Sequence, residues 1–183
     1  MLKITSSSRR GRNSASRGFT LMELLVAMIV LTVGLLAGVV LLSVATASNS
    51  RSKLDTTAAT IAESVMERIV SIPQKATGAA ALSAITDCAG NTFAINTVLG
   101  GAAVNATGDR IDFSQAAPAG NYSMNYMVCS STGNVAYDVR WRIDNGPTPA
   151  TQLVTVGTKV LGAGQNQATL FAFPVNLRTL RGD

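Results

Sequence analysis

The pattern of apolar and polar positions is dominated by one uncharged run from Leu24 to Ala47. This run exceeds the roughly 20 apolar residues with which a helix crosses a bilayer. A conventional secretory signal has an apolar core of only about 7 to 15 residues, although a weak site for that kind of cleavage is present at 43–48. We therefore predict a transmembrane helix over 19–47.

A second pattern follows the first without a break. Apolar residues recur at spacings of three and four, which predicts an amphipathic helix with one buried stripe. The stripe consists of Leu54, Ala58, Ile61, Ala62, Val65, Met66, Ile69 and Ile72. Because Pro73 is the first strong helix breaker, the two patterns predict one helix of about 50 residues, roughly 75 to 80 Å long. Its part over 48–73 is expected to pack on a folded domain.

The rest of the chain, 74–183, is predicted to form a globular head. Residues 74–120 are rich in Ala, Gly, Thr, Asn and Ser, and we expect a connecting loop there with a possible short helix over 79–85. β-Branched and aromatic residues separated by turn-forming residues then predict three antiparallel strands and a weaker fourth. Their expected ranges are 122–129, 135–143, 152–161 and, for the fourth strand, 169–173.

The second predicted strand alternates between an apolar and a polar face. The apolar face, onto which the helix stripe should dock, carries Val135, Tyr137, Val139, Trp141 and Ile143. The predicted fold class is therefore α+β, with a long N-terminal helix packed on an antiparallel meander. Arg140 and Arg142 lie on the polar face and are expected to be solvated, with Asp138 and Asp144 offsetting their charge, so nucleic-acid binding is not expected.

Charge is distributed very unevenly along the chain. The net charge of +5 comes entirely from the first 18 residues, because removing five basic residues leaves 15 − 5 = 10 basic against 10 acidic residues. These five are Lys3, Arg9, Arg10, Arg12 and Arg17. Positive charge before a membrane helix keeps the N-terminus in the cytoplasm, so the chain after about residue 48 should be extracytoplasmic.

Residue usage argues against an enzyme. The chain has no histidine, and therefore lacks the usual general base and the commonest metal ligand; we predict no metal and no cofactor. Cys88 and Cys129 are too far apart in sequence for a zinc or redox motif. They are expected to form one structural disulfide in an extracytoplasmic head, the alternative being two unpaired buried thiols.

The junction of basic leader and apolar run carries the most specific motif. Residues 17–28 are Arg-Gly-Phe-Thr-Leu-Met-Glu-Leu-Leu-Val-Ala-Met. This segment resembles the type IV prepilin signal: a basic leader ending in Gly, an aromatic or Met residue, a Thr-Leu pair, and Glu at the fifth position after the glycine. The resemblance implies a pilin-like fold and the removal of leader 1–18.

The family resemblance assigns a role to three residues. It implies that a prepilin peptidase cleaves between Gly18 and Phe19 and methylates the new amino group of Phe19. It also implies that Glu23 pairs with the α-amino group of a neighbouring subunit during assembly. Two local alternatives stay open: Gly18 simply ends a flexible tail, or Glu23 forms a capping box with Thr20.

Further features of the apolar run bear on the subunit type. Gly34 and Gly38 have a spacing that permits close helix packing, although such spacings also arise by chance. The run lacks the kinking proline of many major pilins, and 26–37 is similar to PilV-class minor pilins and to minor pseudopilins of type II secretion systems. The C-terminal Arg181-Gly182-Asp183 matches an adhesion tripeptide, which we expect to be a chance occurrence.

We therefore expect a minor pilin that helps to initiate or cap a type IV pilus for adhesion, twitching motility or DNA uptake. Its expected partners are prepilin peptidase, other pilin subunits, the pilus assembly platform and inner-membrane lipid. The alternatives are a minor pseudopilin of type II secretion and a membrane-anchored binding module that does not polymerise.

Overall fold

The computed structural model describes residues 19–131, 133–163 and 173–182. The chain divides into two compact units, Met1–Ala47 and Ser48–Asp183. Among these residues, helix α1 (Leu21–Val70) is followed by a short 3₁₀ turn (Gly78–Ala81) and by seven strands. These are β1 (Leu82–Thr86), β2 (Thr92–Asn96), β3 (Gly100–Gly101), β4 (Ser123–Val128), β5 (Val135–Asn145), β6 (Thr151–Ala163) and β7 (Val175–Gly182). The α+β layout matches the pilin-like fold.

Helix α1 confirms the prediction of one continuous helix, since it contains 50 residues and ends at Val70, three residues before Pro73. Its buried side chains all belong to the second unit and all come from the predicted stripe: Ala58, Ile61, Ala62, Val65 and Ile69. Leu54 and Met66 pack partly buried against the same core. Burial of this one stripe therefore attaches the helix to the sheet.

The main sheet is antiparallel and is centred on β5. Strand β6 pairs along one side of β5 and carries β7 on its far side, while β3 and β4 pair with the other side of β5. The three strands predicted for the C-terminal third are confirmed as β4, β5 and β6. The core combines the helix stripe with inward side chains of the sheet, namely Met124, Tyr137, Val139, Trp141, Ile143, Val154, Val156 and Val160.

Two other expectations are wrong. Residues 74–120 are not irregular throughout, because β1 and β2 form a separate antiparallel hairpin and β3 joins the main sheet. The short helix over 79–85 is reduced to the 3₁₀ turn, and the chain then becomes extended. Each strand of the hairpin buries a single large apolar side chain, Ile85 or Ile95, which is too weak a periodic signal to identify a strand.

The last strand also differs from the expectation. Of the predicted range 169–173, residues 169–172 lie outside the described part of the chain, and Phe173 is not in a strand. The strand that pairs with β6 is β7, in the register Val156↔Leu177. Its inward positions Val175 and Leu177 pack against the core, but the arginines that follow them obscure the alternation in the sequence.

The polar face of β5 is covered at Asp138 and Arg140, whereas Arg142 and Asp144 are partly exposed. Arg140 is 8% exposed and pairs with Asp138 at 2.7 Å. Its guanidinium also lies 5.1 Å from the ring centre of Phe113 and donates to the Gln115 carbonyl oxygen at 2.7 Å. The predicted charge partners are confirmed, including Asp144 for Arg142, but the predicted solvation of Arg140 is wrong because a preceding loop lies over it.

Arg181 connects the last strand to the end of helix α1. Its side chain is 3% exposed and donates to the carbonyl oxygens of Ile69 (2.8 Å) and Thr97 (2.7 Å) and to the side-chain oxygen of Gln152 (2.9 Å). Burial lowers the pKa of the Arg181 guanidinium from its ordinary value. Because Arg181 is buried, the C-terminal tripeptide does not present its arginine to a receptor; Asp183 lies outside the described residues.

A disulfide connects the hairpin to the main sheet. Cys88, in the turn between β1 and β2, is bonded to Cys129, directly after β4. Next to it, Asp87 accepts hydrogen bonds from the backbone amides of Asn91 (2.8 Å), Ala89 (3.0 Å) and Met127 (3.3 Å). Burial acts to raise the pKa of Asp87, but these bonds and one from the Asn91 side chain outweigh it, so that the pKa is lowered.

We predict that Arg181→Ala lowers the free energy of unfolding by about 3 kcal/mol, because it leaves several buried acceptors without a donor. The control is Arg178→Ala, since Arg178 lies on the same strand but is exposed, and should change stability by less than about 0.5 kcal/mol. Urea unfolding of the full chain in detergent, followed by Trp141 fluorescence, measures both. Equal effects of the two substitutions would contradict the role of Arg181 in joining β7 to the helix.

We predict that replacing Cys88 and Cys129 together by serine lowers the free energy of unfolding by about 4 kcal/mol, because the bond closes a long loop in the unfolded chain. Wild-type protein reduced before unfolding is the control and should lose the same amount. Thermal unfolding in detergent measures the change. Full alkylation of both thiols in native protein isolated without a reductant would refute the bond.

Candidate assembly site

Thr20 defines the start of helix α1. Its carbonyl oxygen accepts hydrogen bonds from the backbone amides of Glu23 (3.1 Å) and Leu24 (3.2 Å), and its hydroxyl oxygen accepts from the same Glu23 amide at 3.3 Å. This is the first half of the capping box that the sequence allowed. The helix therefore begins on a threonine cap, with Glu23 in its first turn.

The Glu23 side chain is exposed. Within residues 19–131, 133–163 and 173–182, its carboxylate accepts no hydrogen bond and forms no ion pair. The second half of the capping box, in which the carboxylate would bond the Thr20 amide, is thus not formed. The helix dipole alone favours an acid here, by a few tenths to about 1 kcal/mol. The carboxylate consequently keeps its full capacity to bind a cation from elsewhere.

Phe19, directly before the cap, is 81% exposed. Gly18 and the rest of the leader lie outside the described residues, so the predicted cleavage point is seen only from the Phe19 side. Glu23 follows Phe19 by one helical turn of sequence, and the cap places both at the same end of the helix. Cleavage before Phe19 would therefore create a positive amino group close to the acid along the chain.

The first unit presents an apolar surface on every side of the helix. Its large apolar side chains between Leu21 and Val44 are 50% to 85% exposed, although water disfavours such a surface by about 25 cal/mol per Å². The hydroxyls of Thr32 and Ser43 donate to the carbonyl oxygens of Ile29 and Val39, both at 2.9 Å. The hydroxyl groups are thus satisfied within the helix, as a lipid environment requires.

Gly34 and Gly38 lie one helical turn apart within this surface. A Cβ atom added at either glycine would meet no atom within 4 Å. Both positions are therefore open to close approach by another helix. Their use in packing stays a prediction, because it depends on a second molecule.

Residues 13–39 match the family model for the prokaryotic N-terminal methylation motif. The match indicates a type IV pilin-like or pseudopilin precursor. It implies processing by a prepilin peptidase and assembly with other pilins, and together with the apolar helix it supports membrane anchoring. Proteins of this family are structural and not catalytic. No curated protein and no solved structure matches the chain.

The predicted site residues fall into two groups. Phe19, Glu23, Gly34 and Gly38 belong to the first unit of this pilin-like chain, whereas the disulfide belongs to the second. Sequence reasoning missed the structural role of Arg181, because its acceptors lie far away in sequence and a charged side chain usually indicates solvent. It also gave no role to the hydroxyls of the apolar helix, whose position in an uncharged run was the available signal.

Proposed function

We propose that the protein is a minor pilin subunit that helps to initiate or cap a type IV pilus used for adhesion, twitching motility or DNA uptake. Prepilin peptidase removes residues 1–18 by cleavage between Gly18 and Phe19 and methylates the amino group of Phe19. The mature chain anchors by 19–47, continues as the helix over 48–73, and carries a head over 74–183. The carboxylate of Glu23, which has no hydrogen-bond or ion-pair partner among the described residues and precedes the apolar run, is the observation that carries this proposal.

The energetic argument concerns Glu23. A charged side chain within a membrane helix costs on the order of 2.5 to 3.5 kcal/mol near the bilayer centre, and less at its edge. Within the described residues no hydrogen bond or ion pair to the carboxylate offsets this cost, since the cap is provided by Thr20. The α-amino group of Phe19 on a neighbouring subunit has the opposite charge and occupies the same end of an identical helix. Pairing of the two would draw a new subunit into register.

The orientation follows from charge. Five basic residues before the apolar run favour a cytoplasmic N-terminus, which is also where the peptidase acts in this family. The protein would thus be a single-pass inner-membrane protein before it moves into the pilus. The absence of proline from the apolar run supports a minor subunit, because the kink of many major pilins is not available.

We predict that the mature protein begins with a methylated Phe19. Mass spectrometry of the N-terminal peptide, after coexpression with a prepilin peptidase, measures this directly. Gly18→Val should leave the leader attached to nearly all of the protein, because a branched side chain obstructs the scissile backbone. Ala15→Val, which introduces the same side chain three positions earlier, is the control and should be processed. Wild-type chains with an intact leader in peptidase-positive cells would contradict the proposal.

We predict that Glu23→Gln reduces incorporation into filaments on the order of 100-fold. The substitution leaves the positive α-amino group of Phe19 on the neighbouring subunit buried without its partner, which costs about 3 kcal/mol or more. Processing at Gly18 should continue, so mature protein should accumulate in the membrane. Glu63→Gln, which removes an exposed acid of the second unit, is the matched control. Immunoblots of sheared pili against membranes measure the ratio.

The same assay separates the proposed function from its competitors. A binding module that only anchors in the membrane would tolerate Glu23→Gln without loss. A pseudopilin would be absent from sheared pili, and Glu23→Gln would instead abolish protein secretion. Either result would overturn the assignment to a pilus.

A further inference from the structure

Phe173, at the entry to β7, is the most exposed large apolar side chain among the described residues of the second unit. It is 75% exposed, and its ring centre lies 5.8 Å from the guanidinium carbon of Arg51 on helix α1. This distance is within the range of a cation–π contact. A single exposed apolar side chain is common on protein surfaces, so its position in the molecule decides its meaning.

That position is fixed by the two ends of β7. Phe173 precedes the strand and lies beside Arg51, whereas Arg181 near the far end of the strand bonds the carbonyl oxygen of Ile69. Arg51 and Ile69 are separated by about 27 Å along the helix, and a strand of this length spans about the same distance. The strand therefore runs along the helix, with Phe173 beside the start of the second unit's helical segment.

This end of the helix directly follows the apolar run. Arg51 comes four residues after Ala47 in the sequence. Arg51 and Lys53 are the first charged residues after Glu23, and both are exposed. Because they are two positions apart on the helix, their side chains point to different sides of it. The described chain thus has a positive collar, formed by Arg51 and Lys53, where the apolar run ends.

We propose that Phe173, Arg51 and Lys53 form a contact with the extracytoplasmic surface of the membrane. The Phe173 ring enters the boundary between headgroups and acyl chains, where aromatic rings concentrate. The two cations bind the phosphates of anionic phospholipids, which attract basic residues next to a membrane helix. The partner is lipid, because the collar is continuous with the membrane-spanning run and its charge is opposite to that of the headgroups.

This inference rests on the membrane placement in the proposed function, but on neither cleavage nor polymerisation. It gives the second unit a defined orientation before assembly, since β7 and the helix would both meet the bilayer at one end. The contact must then break when the subunit leaves the membrane for a filament. Lipid binding at this collar would therefore oppose release and favour retention of the waiting subunit.

The test places a tryptophan at Phe173 in the full chain and reconstitutes it in vesicles of phosphatidylcholine with phosphatidylglycerol. Bromine on the acyl chains near the headgroup quenches tryptophan at that depth. Phe173→Trp should lose emission in brominated vesicles beyond the wild type, in which Trp141 is fully buried. Adding Arg51→Glu with Lys53→Glu should reduce this loss, and vesicles of phosphatidylcholine alone should reduce it for Phe173→Trp.

Two further variants make the result decisive. Leu180→Trp is the matched control, because Leu180 is 53% exposed on the same strand but lies next to Arg181, at the far end; it should not be quenched. Leu36→Trp reports insertion of the apolar run and should be quenched. In each variant, the emission that comes from Trp141 should keep the maximum that it has in the wild type. An unchanged maximum confirms that the variant folds.

The outcomes separate the two proposals. Quenching of Leu36→Trp without quenching of Phe173→Trp overturns the lipid contact and leaves the proposed function intact. A blue shift of Phe173→Trp only on self-association would assign the surface to another subunit and would also overturn it. Absence of quenching at Leu36→Trp removes the membrane placement and both proposals with it. Quenching of Phe173→Trp in a chain that cells never process would support the contact while the proposed function fails.

Discussion

The stripe of helix α1 from Ala58 to Ile69 lies against the inner face of β5 and β6, and the other described elements of the second unit are arranged around that contact. Val65 and Ile69 are fully buried on the helix, and Trp141 and Val156 are fully buried on the sheet. Two alanines of the stripe, Ala58 and Ala62, are buried in the same contact. Two further interactions hold the outer elements in place. Arg181 joins the helix end to β7, and the Cys88–Cys129 bond joins the hairpin to the residue after β4.

Periodicity in the sequence predicted the parts that depend on this contact. The stripe has the spacing of a helix, and the alternation from Val135 to Ile143 has the spacing of a strand with one buried face, so each could be located and oriented from the sequence alone. The β1–β2 hairpin could not be located in this way, because strands of five residues that each bury one isoleucine leave no period to detect. The burial of Arg140 and Arg181 could not be predicted from the sequence either. A charged residue usually indicates solvent, and only tertiary structure shows that a loop or a helix end provides its partners.

The candidate assembly site was predicted on a different basis. The motif around Gly18 to Glu23 is chemical rather than periodic, and its specificity comes from the combination of glycine, aromatic residue and acid at one junction. The structure adds that Thr20 caps the helix and that the Glu23 carboxylate is not used for this purpose. This weakens the explanation of Glu23 as half of a capping box with Thr20, which the sequence had left open beside the assembly role.

The disulfide and the basic residues of the leader both bear on which side of the membrane each part of the chain occupies. A structural disulfide persists in an oxidising compartment and is rare in the cytoplasm, and Cys88 and Cys129 both lie beyond the apolar run. The five basic residues lie before it. The bond therefore supports the same orientation as the charge pattern, although it arises from side chains that take no part in insertion. A chain with the opposite orientation would keep its cysteines reduced and would lose the link that holds the β1–β2 hairpin to the main sheet.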